Sequence, residues 1–425
     1  MPHAAQLRMD LDAAPPPNDD GVIHDWYRFV LSYPPSLVRD YVAKLEVSQG
    51  QTLLDPFCGA GTTLVEAKKL GIRSIGIEAN PIVQMAASTK INWDIDTACL
   101  VEHASAVYHE ANKRIRRYGS QLKCLDREKQ KLLIGNSISP LPLHKTLVLL
   151  EVMDEMRDSS YHDLERTALA RQLVSAYSNL HFGPEVGVGR NRRDDAAVTE
   201  LWLNQVIRMA TDLDCCFRNK DIEAGVHLSD ARCIGDTLEP NSVDAVITSP
   251  PYPNEKDYTR TTRLESVLLG FIDCRQDLRM NKERLLRSNT RNVFKDDHDD
   301  QWIATHAGIK QLAESIENKR VQLKKTSGFE KTYPRVVKNY FGGIARHLQA
   351  LKPILRPGAR LAYVVGDQAS YFRIPIRTGE LIADIATGAG YTLTGIDLFR
   401  TRFSTTTRSQ LREEVVLLQW NGEHA

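Results

Sequence analysis

The segment Thr248-Ser249-Pro250-Pro251-Tyr252 gathers residue types suited to chemistry just after the apolar run Ala245-Val246-Ile247. Two consecutive prolines fix φ and remove two backbone donors. What remains is a hydroxyl, unpaired carbonyls and an aromatic ring. This set suits an exocyclic amine on a nucleobase, whose lone pair is delocalised into the ring and is a poor nucleophile. The Ser249 hydroxyl and the Pro250 carbonyl can accept the two N–H bonds, localising that lone pair for in-line attack on a methyl group. Tyr252 can stack on a base taken out of a duplex. A Pro-Pro turn with a packed tyrosine is the alternative use of the same residues.

A second constellation runs Leu53-Leu54-Asp55-Pro56-Phe57-Cys58-Gly59-Ala60-Gly61-Thr62-Thr63. It reads as a strand, a tight turn in which Gly59 and Gly61 permit close approach of a ligand, and a helix start with unpaired N–H groups. Glu78 ends the next apolar run, ahead of Asn80, about twenty residues past the glycines, where an acid accepts both hydroxyls of a ribose. The turn lacks both G-x-G-x-x-G and the P-loop lysine, and it offers Asp55, which repels phosphate and suits a cation. S-adenosylmethionine, with a sulfonium, an amino group and a ribose, matches that polarity. Tight strand-to-helix packing and a solvated carboxylate are the structural alternatives.

Seven short runs rich in aliphatic and β-branched residues must position these groups. They are Thr52 to Phe57, Ser74 to Glu78, Val226 to Leu228, Val243 to Thr248, Arg360 to Gly366, Tyr391 to Phe399 and Glu413 to Trp420. Runs such as Ala245-Val246-Ile247 predict a sheet covered by helices on both faces. The last two, separated by a polar loop from Arg400 to Arg412, predict an antiparallel pair at one edge. Residues 1–21 read as a flexible tail. The catalytic domain is expected from 22–93, 225–258 and 340–425, with a helical insertion at 94–224 and a second insertion, a candidate target-recognition region, at 259–339.

The 425 residues carry 55 Lys and Arg against 54 Asp and Glu, so no whole-protein field draws the chain to nucleic acid or anionic lipid. Seven scattered cysteines without a C-x-x-C pair point to a reduced, cytoplasmic chain without zinc. Neither a signal peptide nor an apolar run long enough to span a membrane is visible.

Asp55-Pro56-Phe57-Cys58-Gly59-Ala60-Gly61-Thr62-Thr63 together with Thr248-Ser249-Pro250-Pro251-Tyr252 resembles the DNA amino-methyltransferases, especially the N4-cytosine branch, whose catalytic tetrapeptide commonly begins with Ser. The N6-adenine branch more often has Asp or Asn there. The resemblance implies a seven-stranded Rossmann-like methyltransferase sheet in the α/β class, with S-adenosylmethionine as cofactor and no metal. It implies transfer to N4 of cytosine in duplex DNA by base flipping and use at a prokaryotic nucleoid, with a cognate restriction endonuclease as a candidate partner beside the alternative of a methyltransferase that acts without one. Ser249, Pro250, Pro251 and Tyr252 take the catalytic role. Tyr33, Pro34 and Pro35 lie in the segment that closes over the methionine part of the cofactor, and Asp230 lies near the adenine amino group. N6-adenine methylation, an RNA amine target and a recognition subunit without turnover stay open beside this reading. The glycine turn precedes the Ser-Pro-Pro-Tyr motif, the reverse of many N4-cytosine enzymes.

For the nucleic acid, Lys256, Tyr258, Arg260 and Arg263 follow Tyr252 most closely, and Asp257 lies in the same loop. Two basic windows are further candidates: Lys113 to Lys131, with eight bases and two acids, and Arg275 to Lys338, with fifteen bases and nine acids. The glycine-rich stretch Gly183 to Arg193 reads as an exposed loop.

Overall fold

The computed structural model describes residues 20–27, 32–182, 186–254, 256–404 and 409–422. Most of the expected tail lies outside them. A central sheet is built from β1 (Thr52–Asp55), β2 (Arg73–Glu78), β3 (Ala224–Leu228), β4 (Val243–Thr248), β5 (Leu355–Gly366), β6 (Thr392–Ser404) and β7 (Ser409–Trp420). The spatial order is β3-β2-β1-β4-β5-β7-β6. The first five strands run parallel, and β7 enters antiparallel between β5 and β6. Chain order reverses between β1 and β4, and ligands bind beyond the carboxyl ends of the strands at such a switch point. Asp55 and Thr248 end those two strands.

Burial explains the strands. Val243, Ala245, Val246 and Ile247 are at most 2% exposed, since both faces of β4 are covered. Each buried Val or Ile side chain among them contributes roughly 1.5–3 kcal/mol. Three helices flank the cofactor half: α1 (Pro35–Lys44), α2 (Thr62–Lys69) and α3 (Pro81–Ile91). Proline stands in the first turn of α1 and α3, where its missing N–H costs nothing. Gly61 caps α2 with φ +84°, and a Cβ there would lie 3.3 Å from the Ala87 Cβ on α3. Only glycine supplies both the left-handed turn and the close approach of these helices.

The described residues between 94 and 223 are mostly helical, the longest helices being α4 (Thr97–Tyr118), α5 (Pro140–Glu155), α6 (His162–Gln172) and α7 (Val198–Cys216). Ile82, Val83 and Ala86 of α3 share one hydrophobic cluster with Leu100, Leu149, Leu169 and Trp202, so this helical layer and the sheet's flanking helices have a common core. Further on come α8 (Arg275–Arg284), α9 (Ala307–Gln322), α10 (Gly328–Leu351) and α11 (Thr378–Gly388). Among the described residues no helix is long and apolar enough to cross a membrane.

Three local expectations need correction. Arg400 to Arg412, read as a polar loop, continues the hairpin: β6 runs to Ser404 and β7 starts at Ser409, while 405–408 lie outside the described residues. The strand expected from Arg360 to Gly366 starts earlier, at Leu355, and takes in Arg356-Pro357-Gly358, with a register shift against β4 between Val243 and Ala245 that accommodates the proline. The stretch read as a loop around Gly183 is flanked by an antiparallel pair, Leu180–Phe182 with Val186–Val188; residues 183–185 lie outside the described residues.

Candidate active site

A cleft opens at the carboxyl ends of β1, β2 and β4. The glycine turn lines one side with Phe57, Cys58, Gly59 and Thr62, the end of β2 adds Glu78, and Asn80 follows at the cap of α3. The Ser249-Pro250-Pro251-Tyr252 segment lines the other side, with Tyr258 beside it. The two constellations read from the sequence thus share one cleft, to which Tyr33 and Asp230 also contribute.

Glu78 is held by the backbone N–H of Asn80 at 2.7 Å and by those of Gly59 and Ala79. Burial outweighs these donors and pushes its pKa up to about 7. A carboxyl group so fixed at a strand end suits a pair of vicinal hydroxyls. Asn80 donates its amide N–H to the Thr262 hydroxyl at 3.1 Å, fastening β2 to the segment after Tyr252.

Asp55, expected to face the ligand, does not line the cleft. Its carboxylate is fully buried and accepts from Thr248 at 2.6 Å, Thr63 at 2.6 Å, Tyr33 at 2.9 Å and the Phe57 N–H at 3.1 Å. With four donors satisfied it organises the site from behind. Burial raises its pKa and the donors oppose that rise. Gly61 and Pro34 also stand outside the lining: Gly61 makes the helix contact described above, and Pro34 caps α1.

Asp230 ends the segment after β3 and is gripped by the Arg232 guanidinium, Nε donating at 3.0 and 3.1 Å and Nη2 at 2.7 Å. Arg232 reaches on to Asp299 at 2.5 Å and to the Glu283 carbonyl at 2.8 Å. Arg284, Leu285 and Leu286 complete this wall of the cleft. They come from the second insertion and were not singled out in the sequence. The glycines that seat this insertion offered a signal. A Cβ on Gly342 would lie 2.0 Å from the Asp299 carbonyl oxygen, and one on Gly343 would lie 2.4 Å from Leu286 Cδ1. Gly342-Gly343 in the middle of α10 is costly for a helix unless something packs there.

Behind Phe57 stands His347, with ring centroids 4.9 Å apart. Its Nδ1 faces the Ala231 carbonyl at 2.8 Å and its Nε2 the Tyr363 hydroxyl at 2.8 Å. A carbonyl only accepts, so the proton sits on Nδ1 and Tyr363 donates to Nε2. Burial lowers the pKa to about 4, which keeps the ring neutral.

On the reacting side, Ser249 donates its hydroxyl proton to the Val364 carbonyl at 3.0 Å. Both oxygen lone pairs are thereby left to accept. Tyr252 lies near Ser249, hydroxyl to hydroxyl 3.5 Å, and burial pushes its pKa up to about 12, so it stays a neutral phenol.

The residues expected to meet nucleic acid divide. Tyr258 lines the cleft, and Lys256 stands in the adjoining loop, its carbonyl bonded by Asn289 at 2.8 Å. Arg260 and Arg263 do not line the cleft. Arg260 donates to the Val186 carbonyl at 3.3 Å, and Arg263 to the carbonyls of Thr259 and Leu132 at 3.1 and 3.3 Å. Both brace the loop. The basic window from Lys113 to Lys131 is largely neutralised by acids from neighbouring segments: Arg114 pairs with Glu110 and Glu155, Lys123 with Glu151, and Lys129 with Asp273.

Residues 19–88 match the family model described as DNA methylase. The chain is 26% identical over 406 residues to the type II methyltransferase M.BsoBI of Geobacillus stearothermophilus, covering 88% of this chain and 79% of that protein. It is 25% identical over 404 residues to M.AvaI of a Nostoc species, covering 86% and 78%. A shorter stretch of 74 residues is 36% identical to M.MjaII of Methanocaldococcus jannaschii, covering 17% of this chain and 14% of that protein.

Proposed function

The chain belongs to the DNA amino-methyltransferase family, and on that footing we propose that it transfers a methyl group from S-adenosylmethionine to N4 of cytosine in duplex DNA. The observation that carries this reading is the Ser249 hydroxyl. Its proton is committed to Val364 at 3.0 Å, so its lone pairs and the Pro250 carbonyl form an acceptor pair for an amine N–H₂. Accepting both hydrogens turns the amine lone pair out of conjugation and toward the neighbouring cofactor half of the cleft. S-adenosylmethionine, when bound, supplies the electrophilic methyl carbon.

The residues present fit that cofactor. Glu78 is fixed by three backbone donors and aims its carboxyl into the cleft where a ribose diol would sit. Phe57, Ala231 and Leu286 offer apolar surface to an adenine, and Asp230 stands beside them as an acceptor for its amino group. Tyr33, held by Asp55, covers the methionine end. Tyr252 and Tyr258 at the reacting end provide π faces for a base removed from the stack. Cytosine is favoured over adenine by the serine that opens the tetrapeptide.

Incubating the purified chain with unmethylated duplex DNA and methyl-tritiated S-adenosylmethionine should label the DNA. Absence of label, with the cofactor shown to bind, would overturn the assignment.

A further inference from the structure

The β6–β7 hairpin outruns the rest of the sheet on the side where the cleft opens. Pairing of β5 with β7 ends at Gly366 opposite Glu413, whereas β6 and β7 stay paired out to Ser404 opposite Ser409. The overhang carries Arg400, Arg402 and Phe403, which are 59%, 54% and 58% exposed.

A cross-strand row ties this overhang to the reacting end. Gly366, Glu413 and Arg400 are direct partners across three strands, so they share one face of the sheet, and Arg402, two residues on, shares it too. A Cβ on Gly366 would lie 3.2 Å from Tyr252 Cε2 and 3.4 Å from Glu413 Cγ. Tyr252 therefore occupies the gap that this glycine leaves, with Glu413 next in the row and the two arginines beyond it. Arg400 bonds Glu413 through Nε at 2.5 Å and stacks its guanidinium on Phe399, 5.3 Å from the ring centroid. Arg402 reaches the same carboxylate only at 4.0 Å. Two cations thus share one acid, beside the tyrosine that faces the target base. Lys256, on the loop after Tyr252, adds a third positive charge close enough to feel Arg402.

We propose that this overhang is a phosphate clamp, in which Arg400 and Arg402 grip the DNA backbone next to the displaced nucleotide and Glu413 holds them in place until phosphate arrives. The chemistry fits a polyanion. A planar guanidinium takes a phosphate through two N–H groups, and the Nε contact with Glu413 leaves the terminal nitrogens of Arg400 without a further bond to the described residues. This inference rests on the DNA reading above and names the surface that holds the strand.

The test is salt-dependent binding of a mixed-sequence 30-base-pair duplex, followed by fluorescence anisotropy between 50 and 300 mM salt, with cofactor affinity measured alongside. Arg400→Gln with Arg402→Gln should bind the duplex roughly tenfold more weakly at 0.1 M salt. The slope of log affinity against log salt should become shallower by about 2, the loss of two phosphate contacts, with cofactor affinity unchanged. Glu413→Gln removes the competing carboxylate and should tighten binding several-fold, an opposite sign that misfolding cannot imitate. Wild-type affinity and slope in the double variant, or no tightening in Glu413→Gln, would overturn the clamp while leaving the methyltransferase reading intact. A wild-type chain that neither binds nor methylates duplex DNA would overturn that underlying reading as well.

Discussion

The Thr248 hydroxyl donates to Asp55 Oδ1 at 2.6 Å, joining the strand that ends in the cofactor turn to the strand that presents Ser249. Thr63 and Tyr33 converge on the other carboxylate oxygen, so one buried acid aligns β1, β4, the start of α2 and the Tyr33 segment. Thr248→Val keeps the shape and removes one bond to a charged group. It should cost roughly 1.5–3 kcal/mol in urea unfolding. An unchanged midpoint and slope would show that the bond contributes nothing.

Ser249→Ala deletes the proposed hydroxyl acceptor and touches none of the residues that hold the cofactor end. Turnover should fall about 10²–10³-fold, the usual loss for one preorganised polar group, while S-adenosylmethionine binding by calorimetry stays within twofold. A parallel loss of both would place Ser249 in structure rather than chemistry.

Glu78 gives the site a pH signature. Its pKa stands near 7 in the free protein, and a bound ribose diol favours the carboxylate. Cofactor affinity should be full above pH 7 and fall up to tenfold per pH unit below it. Glu78→Gln should bind weakly and without that dependence. Stability of the unliganded protein runs the other way. The folded-state pKa lies above the unfolded value, so this contribution is complete below about pH 4.5 and is lost as pH rises through 7. Affinity that is flat between pH 5.5 and 7 would remove Glu78 from the ribose site.

Gly366 has no side chain because Tyr252 and Glu413 occupy the space. Gly366→Ala should displace the tyrosine ring by a few tenths of an ångström and lower turnover roughly tenfold, given how steeply rate depends on placement. Cofactor affinity should be unaffected. Full turnover in this variant would mean that the position of Tyr252 is not critical.

The strands and the two constellations were legible because each was written locally. Ala245-Val246-Ile247 is buried on both faces and reads as a short apolar run, and the Ser-Pro-Pro-Tyr turn that follows Thr248 permits few conformations. What escaped was written non-locally. Asp55 looks in sequence like an acid beside a ligand; its four donors, from Tyr33 to Thr248, are scattered along the chain and visible only once folded. The wall formed by Leu285 and Leu286 depends on Arg232, Asp299 and Gly343 meeting across long loops. Arg400 to Ser404 looked like loop because this part of β6 overhangs the sheet, where alternation carries no apolar signal. Arg260 and Arg263 stand close to Tyr252 in sequence, yet neither lines the cleft, and each donates to a backbone carbonyl of another segment.

The central claim is the identity of the modified atom, and the most direct measurement is nucleoside analysis. Unmethylated duplex DNA, treated with the purified chain and S-adenosylmethionine and digested to nucleosides, should yield N4-methyldeoxycytidine by mass spectrometry. That product should vanish in the Ser249→Ala, Tyr252→Ala double variant. N6-methyldeoxyadenosine as the product, or undiminished methylation by the double variant, would contradict it.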